Sequence, residues 1–136
     1  MTALDPLLAP LAGLRRTWLV TGGGGFIGSN LIETLLALGQ HVRCLDSFVT
    51  GHRHNVDAAS RGHEPDFELL EGDIRDLATC RRACQGVDVV LHQAALGSVP
   101  RSIEDPLSSH EANVTGFVNV LWGAHEAGVK RVVYAS

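Results

Sequence analysis

A run of glycines near the start of the sequence has the residue types and spacing of a phosphate-binding loop. Residues 17–30 read TWLVTGGGGFIGSN, an apolar run that breaks into four glycines and then enters a helical pattern. The glycines fit G-x-x-G-x-x-G on Gly22, Gly25 and Gly28, and they also fit G-x-G-x-x-G starting at Gly23. In either register, glycine allows a tight turn and a close approach of the backbone to a pyrophosphate, and the first N–H groups of the new helix face the phosphates. The segment therefore predicts dinucleotide binding.

An aspartate at the end of the next predicted strand completes the pattern. Asp46 closes the segment HVRCLD, residues 41–46, and follows Gly28 by 18 residues. A carboxylate at this place accepts hydrogen bonds from the adenine ribose and repels a 2′-phosphate, so it favours NAD over NADP. The motif is weak by itself, but here an apolar strand precedes it, a helix follows it and an acid closes the unit. The alternative is a flexible glycine turn with an acid placed by chance.

Apolar periodicity defines the elements that would position these residues. Strands alternating with helices at this spacing predict an α/β fold, a doubly wound parallel sheet (Rossmann) with five strands in the order 3-2-1-4-5. The predicted strands are 17–21, 41–46, 66–72, 87–91 and 130–136. The predicted helices end at Gly39 and near Gly62, cover 77–85, and run from Pro106 to about Ala127, with 47–55 and 92–102 as loops. Residues 1–16 are expected to be a tail or a short helix outside a dinucleotide-binding domain of residues 17–136.

The loops after the second, third and fourth strands are predicted to line the cofactor, because ligands bind at the carboxyl ends of parallel strands. Asp73 is expected to accept the adenine amine, and Ile74 to cover the ring. Arg53 could touch the adenosine half, although an ordinary solvated loop is equally open. Asn113 is predicted on the apolar side of its helix, either as a clamp on a neighbouring strand or as a support for the site. The residues predicted to bind the cofactor are Gly22, Gly25, Phe26, Ile27, Gly28, Asp46, Ser47, Phe48, Gly51, Asp73, Ile74, Gln93, Ala94, Ala95 and Asn113.

Composition argues against several other classes of function. The net charge of −4 and the absence of a basic cluster argue against binding to nucleic acid or to a membrane surface. Three cysteines suggest no disulfide framework, which fits a cytoplasmic protein. Cys80 and Cys84 lie one helical turn apart, but no second pair accompanies them, so we assign no metal site.

Several segments together resemble a known family. TGGGGFIGSN, LDSF, GDIRD, LHQAALGSVPRS and VVYAS are similar to the extended short-chain dehydrogenase/reductase family, the NAD-dependent nucleotide-sugar epimerases and dehydratases. Residues 46–55 and 94–102 look most like the bacterial UDP-N-acetylglucosamine 4-epimerases. The resemblance implies NAD as cofactor, a UDP-sugar bordered by Gly97 and Ser98, Ser136 near the nicotinamide, and a homodimer of the full-length protein. A 4,6-dehydratase and a non-catalytic NAD-binding module are the alternatives.

The reaction implied by the resemblance is transfer of a hydride from sugar C4 to NAD and its return to the other face. A tyrosine in a Y-x-x-x-K motif is the base in that family. The motif does not occur in this sequence, since Tyr134 has no residue four positions later. We therefore assign no catalytic residue. We expect residues 1–136 to be the NAD-binding portion of an epimerase, without epimerase activity of their own.

Overall fold

The protein, described by a computed structural model over residues 5–136, is built on one parallel sheet in the order β3-β2-β1-β4-β5. The predicted doubly wound sheet is confirmed. The strands are β1 (Thr17–Thr21), β2 (His41–Asp46), β3 (Phe67–Glu71), β4 (Val89–His92) and β5 (Arg131–Tyr134). The helices are α1 (Asp5–Ala12), α2 (Phe26–Ala37), α3 (Arg53–Ser60), α4 (Leu77–Cys84), α5 (Val99–Glu104), α6 (Pro106–His110) and α7 (Gly116–Glu126). A 3-10 turn spans Glu64–Asp66, and a π-helical segment, Glu111–Thr115, joins α6 to α7.

Helices cover both faces of the sheet and form two apolar cores. Successive strand residues point to opposite faces, so the neighbours Leu19 and Val20 enter different cores. Val20 and Val42 pack with α2 and α3 on one face, and Leu19 packs with α4 and α7 on the other. Because helices cover both faces, a ligand site can form in the loops that follow the carboxyl ends of the strands.

The strand β3 lies at one edge of the sheet, as its short and partly polar sequence predicts. Its residues Glu68 and Glu71 are exposed. Glu68 accepts a hydrogen bond from Arg43 Nε on β2, at 2.7 Å. Glu71 is the register partner of Asp46 at the carboxyl end of the same strand pair. The edge strand therefore places a second carboxylate beside the predicted site.

Two segments predicted as loops are partly helical. α3 begins at Arg53, inside the predicted loop 47–55, and only Val56 and Ala59 anchor it on the core. α5 begins at Val99, inside the predicted loop 92–102. Ser98 caps that helix by accepting the Arg101 N–H at 3.4 Å. Pro100 fits the first turn because proline has no N–H, and an N–H at that place would have no intrahelical acceptor. Both helices are too short and too polar for apolar periodicity to indicate them.

The long helix predicted from Pro106 to Ala127 is continuous but changes its winding. Asp105 caps its start by accepting the Ser108 N–H at 3.1 Å, with Pro106 in the first turn, as predicted. Between α6 and α7 the chain is π-helical over Glu111–Thr115. Segments of this kind occur frequently at functional sites, and this one carries Asn113.

No helix among residues 5–136 is long and apolar enough to cross a membrane. Within the same range, no group of three or more potential metal ligands occurs. The three cysteines are free and buried.

Candidate dinucleotide-binding site

A groove lies at the carboxyl ends of β1, β2, β3 and β4, with a cavity volume of about 280 Å³. This volume is close to the lower end of the range for small-molecule sites, roughly 300–1,000 Å³. Its walls come from the loops after four different strands. The lining residues are Gly22, Gly25, Leu45, Asp46, Ser47, Val49, Thr50, Gly51, Gly72, Asp73, Ile74, Arg75, Gln93, Ala94, Ala95, Leu96, Ser108 and Ala112.

Gly22 and Gly28 are required by the folding of the glycine loop itself. Gly22 has a φ of +75°, and a Cβ there would lie 2.7 Å from the Ala94 nitrogen. A Cβ on Gly28 would lie 2.2 Å from the Gly22 oxygen. The Gly22 carbonyl accepts the Gly25 N–H at 3.1 Å, which closes the turn before α2. These two glycines let the new helix pack directly against the end of β1.

Of the glycines in this loop, Gly25 is the one that the protein's own packing does not require. A Cβ added to it would meet only the Gly22 oxygen, at 3.4 Å, and Gly25 lines the groove. Gly23, in contrast, faces the core, where a Cβ would lie 2.3 Å from Cys44 Sγ. The register Gly22, Gly25, Gly28 therefore describes the loop. Its middle glycine leaves the free surface that a pyrophosphate needs, and the residues present fit a bound dinucleotide.

The start of α2 offers backbone donors beside this surface. The first helical N–H to find an acceptor is that of Ser29, which donates to the Gly25 oxygen at 3.1 Å. The N–H groups of residues 26–28 precede the first possible intrahelical acceptor, and no side chain among residues 5–136 caps the helix. Phe26 and Ile27 are 82% and 58% exposed, and neither lines the groove.

Asp46 ties the glycine loop to the loop after β2. Its Oδ2 accepts the Gly24 N–H and its Oδ1 accepts the Phe48 N–H, each at 2.7 Å. Phe48 holds a φ of +58°, an uncommon conformation for a bulky residue, and its ring packs against the core. Each carboxylate oxygen can accept more than one hydrogen bond. Asp46 therefore has capacity left for a ribose hydroxyl at the groove wall.

The loop after β3 brings Asp73 and Ile74 to the groove as predicted, but with their own protein partners. Arg75 Nη2 donates to Asp73 Oδ2 at 2.6 Å, and this partner lowers the pKa of the Asp73 carboxyl. Asn119 on α7 donates to the carbonyl oxygens of Ile74 and Arg75, at 2.9 and 3.0 Å. Cys80 Sγ also contacts the Ile74 oxygen, at 3.3 Å. This loop is held in place before any ligand arrives.

The loop after β4 is fixed by the hydroxyl of Thr21. Thr21 Oγ1 accepts the N–H groups of Gln93 and Ala94, each at 3.1 Å, and lies 2.6 Å from His92 Nδ1. A hydroxyl has two lone pairs and one hydrogen, so the hydrogen goes to Nδ1. The network thus assigns His92 as the neutral tautomer with its proton on Nε2. Burial lowers the pKa of His92 to about 4, in agreement with this assignment.

Asn113 differs from its prediction in burial, and its contacts match the second predicted role, a support for the site. It is exposed rather than buried, and it clamps the loop after β4 rather than a strand: its Oδ1 accepts the Leu96 N–H at 2.7 Å and its Nδ2 donates to the Leu96 oxygen at 2.9 Å. Val114 and Leu121, on the same apolar side of this helix, are exposed as well, so that side is not buried against the sheet. Asn113 holds a groove-lining residue without lining the groove.

The structure brings ten of the eighteen predicted site residues to the groove. Those that line it are Gly22, Gly25, Asp46, Ser47, Gly51, Asp73, Ile74, Gln93, Ala94 and Ala95. Those that do not line it are Phe26, Ile27, Gly28, Phe48, Gly97, Ser98, Asn113 and Ser136. Ser98 instead caps α5 with a φ of +108°, and Ser136 follows the end of β5.

Sequence reasoning missed the lining residues that come from helices. Ser108 and Ala112 lie four residues apart and reach the groove from α6 and the π-helical segment. Their spacing on one helical face is the signal that could have indicated them. Leu45, Val49, Thr50, Gly72, Arg75 and Leu96 also line it, each within three residues of a predicted one.

The family model for the NAD-dependent epimerase/dehydratase family matches residues 18–136. UDP-glucose 4-epimerase from Lacticaseibacillus casei is 36% identical over 119 residues, which cover 86% of this chain and 34% of that relative. This chain thus spans about a third of the length of the curated relatives it matches.

Two solved structures share the fold at substantial identity. UDP-glucose 4-epimerase from Thermus thermophilus, in complex with NAD, is 41% identical with a TM-score of 0.78, over 88% of this chain and 37% of that one. The dTDP-glucose 4,6-dehydratase DesIV from Streptomyces venezuelae, crystallised with NAD, is 40% identical with a TM-score of 0.77, over 85% of this chain and 38% of that one. The family model, the sequence relative and both structures agree, and the chain belongs to the NAD-dependent epimerase/dehydratase family.

Proposed function

We propose that this chain is the NAD-binding part of a nucleotide-sugar 4-epimerase. The observation that carries the proposal is the free space around Gly25. A Cβ added there would lie 3.4 Å from its nearest neighbour, the Gly22 oxygen, so the fold does not require glycine at this position. Gly25 lines the groove beside helix N–H groups that no side chain caps among residues 5–136. A bare surface at this place suits a pyrophosphate. Bound NAD would supply the hydride acceptor for oxidation at the sugar.

The chain's own residues have separate roles in this proposal. The N–H groups of residues 26–28 bind the pyrophosphate, and Asp46 accepts hydrogen bonds from the adenine ribose. Asp73 and Ile74 line the adenine end. Gln93, Ala94 and Ala95 shape the opposite end, where the Thr21 hydroxyl keeps the backbone of Gln93 and Ala94 in position.

The substrate we propose is a UDP-hexose, with UDP-N-acetylglucosamine as the specific candidate. The similarity of residues 46–55 and 94–102 to the N-acetylglucosamine enzymes supports the acetylated sugar. The relative from L. casei is a UDP-glucose 4-epimerase, which supports UDP-glucose as the competing substrate. Proton NMR of the full gene product with each nucleotide sugar distinguishes the two, because each C4 epimer has its own anomeric signal.

A 4,6-dehydratase is the second candidate, and the likeness to the Streptomyces venezuelae enzyme at 40% identity favours it. The same NMR experiment separates the reactions, since a dehydratase removes water from the sugar and an epimerase leaves its composition unchanged.

The first test of the proposal is NADH binding to this chain. Titration of the chain with NADH should quench its tryptophan emission to saturation. A chain that shows no saturable binding of NADH would refute the proposal. We also propose that the protein is cytoplasmic. Its three cysteines are free and buried, and thiols stay reduced in the cytosol.

We also propose a homodimer for the full-length protein. The surface of α6, the π-helical segment and α7 carries exposed apolar side chains; they are Leu107, Val114, Val118, Leu121 and Trp122. A contiguous apolar surface of this kind marks an interaction site. Analytical ultracentrifugation of wild type and Val118→Glu tests this, with dissociation to monomer as the expected result for the variant. A wild-type monomer would refute the homodimer.

A further inference from the structure

Arg53 follows the loop that forms the Asp46 wall of the groove, and its guanidinium is held from two sides. It lies over the Phe48 ring, 4.5 Å from the ring centroid, and it forms an ion pair with Glu71. Phe48 is itself fixed, because its N–H donates to Asp46 Oδ1 at 2.7 Å. Glu71 is the β3 residue paired with Asp46 in the parallel register. These residues therefore form one local cluster at the end of β2 and β3.

The charges of this cluster oppose an additional phosphate. It contains the carboxylates of Asp46 and Glu71 and the guanidinium of Arg53, so its formal charge is negative. A phosphate monoester carries about −1.5 to −2 at neutral pH. A guanidinium without a partner would bind such a group through two parallel hydrogen bonds. Here the Arg53 guanidinium is already paired with a carboxylate of its own chain.

The other arginine beside the groove is occupied in the same way. Arg75 Nη2 lies 2.6 Å from Asp73 Oδ2, and its Nη1 lies 3.5 Å from Glu111 Oε2. Both guanidinium groups are thus paired with carboxylates of their own chain and not with a ligand in the groove.

We propose that Glu71 is a second determinant of NAD over NADP, acting together with Asp46. Glu71 keeps Arg53 away from a 2′-phosphate and adds its own negative charge to that end of the groove. It acts through Arg53 and through its charge, so it is a positioning residue. The inference rests on the proposed function, because it concerns the adenine ribose end of the same groove.

A purely structural ion pair would behave differently from a specificity determinant. The side chains of Arg53 and Glu71 are 53% and 55% exposed, and exposed pairs contribute little to folding. Glu71→Gln should therefore fold normally. Glu68 is the matched control, since it lies on the same strand, is 51% exposed and pairs with Arg43 at 2.7 Å.

The experiment is a titration of the chain with NADH and with NADPH at low ionic strength, in which binding is measured by calorimetry or by nucleotide fluorescence. We expect Glu71→Gln to tighten NADPH binding about fivefold, from the loss of one like charge near the phosphate, while NADH affinity changes less than about twofold. Glu68→Gln should change neither affinity. Adding Arg53→Gln to Glu71→Gln should remove the gain in NADPH affinity. Raising the salt concentration should reduce the gain in NADPH affinity of Glu71→Gln.

The outcomes separate this inference from the proposed function. NADH binding by wild type with no NADPH gain in Glu71→Gln would overturn the inference and leave the proposed function standing. An equal gain in Glu68→Gln, or an equal gain for both nucleotides, would also overturn it, since either result would show a general charge effect. A wild-type chain that binds neither nucleotide would refute the proposed function and the inference with it.

Discussion

Replacing Gly25 by alanine should abolish dinucleotide binding while leaving the fold intact. Gly25 has a φ of −84° and a ψ of 175°, an extended conformation that alanine adopts without strain. The added Cβ would meet only the Gly22 oxygen, at 3.4 Å. Alanine is about 0.5–1 kcal/mol poorer than glycine as an N-cap, and it restricts the unfolded chain by about 0.4–1 kcal/mol in the opposite direction. The free energy of unfolding should therefore stay within about 1 kcal/mol of wild type.

The loss of binding should be much larger than this change in stability. The new methyl group would stand between the groove and the N–H groups at the start of α2. A hydrogen bond to a charged group contributes about 1.5–3 kcal/mol, so losing two of them would cost about 3–6 kcal/mol. That loss corresponds to roughly 10²- to 10⁴-fold weaker binding. Gly25→Val should show the same effect at greater strength.

Two measurements on the same samples check this prediction: NADH titration and urea unfolding followed by circular dichroism. Gly28→Ala is the control, because its expected effect is a loss of stability. A Cβ there would lie 2.2 Å from the Gly22 oxygen, so we expect a loss of about 1–3 kcal/mol in stability from overpacking. Unchanged NADH affinity in Gly25→Ala would show that no pyrophosphate lies at this loop. Unfolding of Gly25→Ala would show that the glycine serves the fold instead.

The other predictions concern specificity, pH and loop dynamics. Asp46→Ala should weaken NADH binding and narrow the preference over NADPH, and equal wild-type affinities for the two would contradict the role of Asp46. Burial lowers the pKa of His92 to about 4, below the unfolded value of about 6.5, so the free energy of unfolding should fall by roughly 3 kcal/mol as pH drops from 6.5 to 4. His92→Asn, which keeps an acceptor for Thr21, should flatten this slope in urea titrations, and an unchanged slope would assign it to other groups. Asn113→Ala should accelerate hydrogen exchange of the Leu96 amide about tenfold or more, while exchange equal to wild type would mean that the clamp is absent in solution.

The sequence predicts the strand order and the glycine loop because both depend on local patterns. Apolar runs, helix stops and the acid at Asp46 follow one another along the chain, and the parallel sheet follows from their alternation. The glycine register depends on distant neighbours instead: Cys44 excludes a side chain at Gly23, and Ala94 excludes one at Gly22.

Contacts of long polar side chains could not be predicted in the same way. The pairing of Arg53 with Glu71 joins residues 18 positions apart through flexible, exposed groups that carry no periodic signal. The burial predicted for Asn113 is wrong because the apolar side of its helix, with Val114 and Leu121, is exposed. The missed contacts are thus those set by tertiary packing and not by local periodicity.

One helix fixes both walls of the groove. Asn113 holds the loop after β4, and Asn119 holds the loop after β3. These two amides are six residues apart on one continuous helix, Asn113 in its π-helical segment and Asn119 in α7. The distance between the two walls is therefore set by this helix and does not depend on the side chains of the loops. The two loops can thus diversify in sequence while the distance between them stays constant, whereas one residue inserted between the two asparagines would rotate one clamp by about 100° and release its loop.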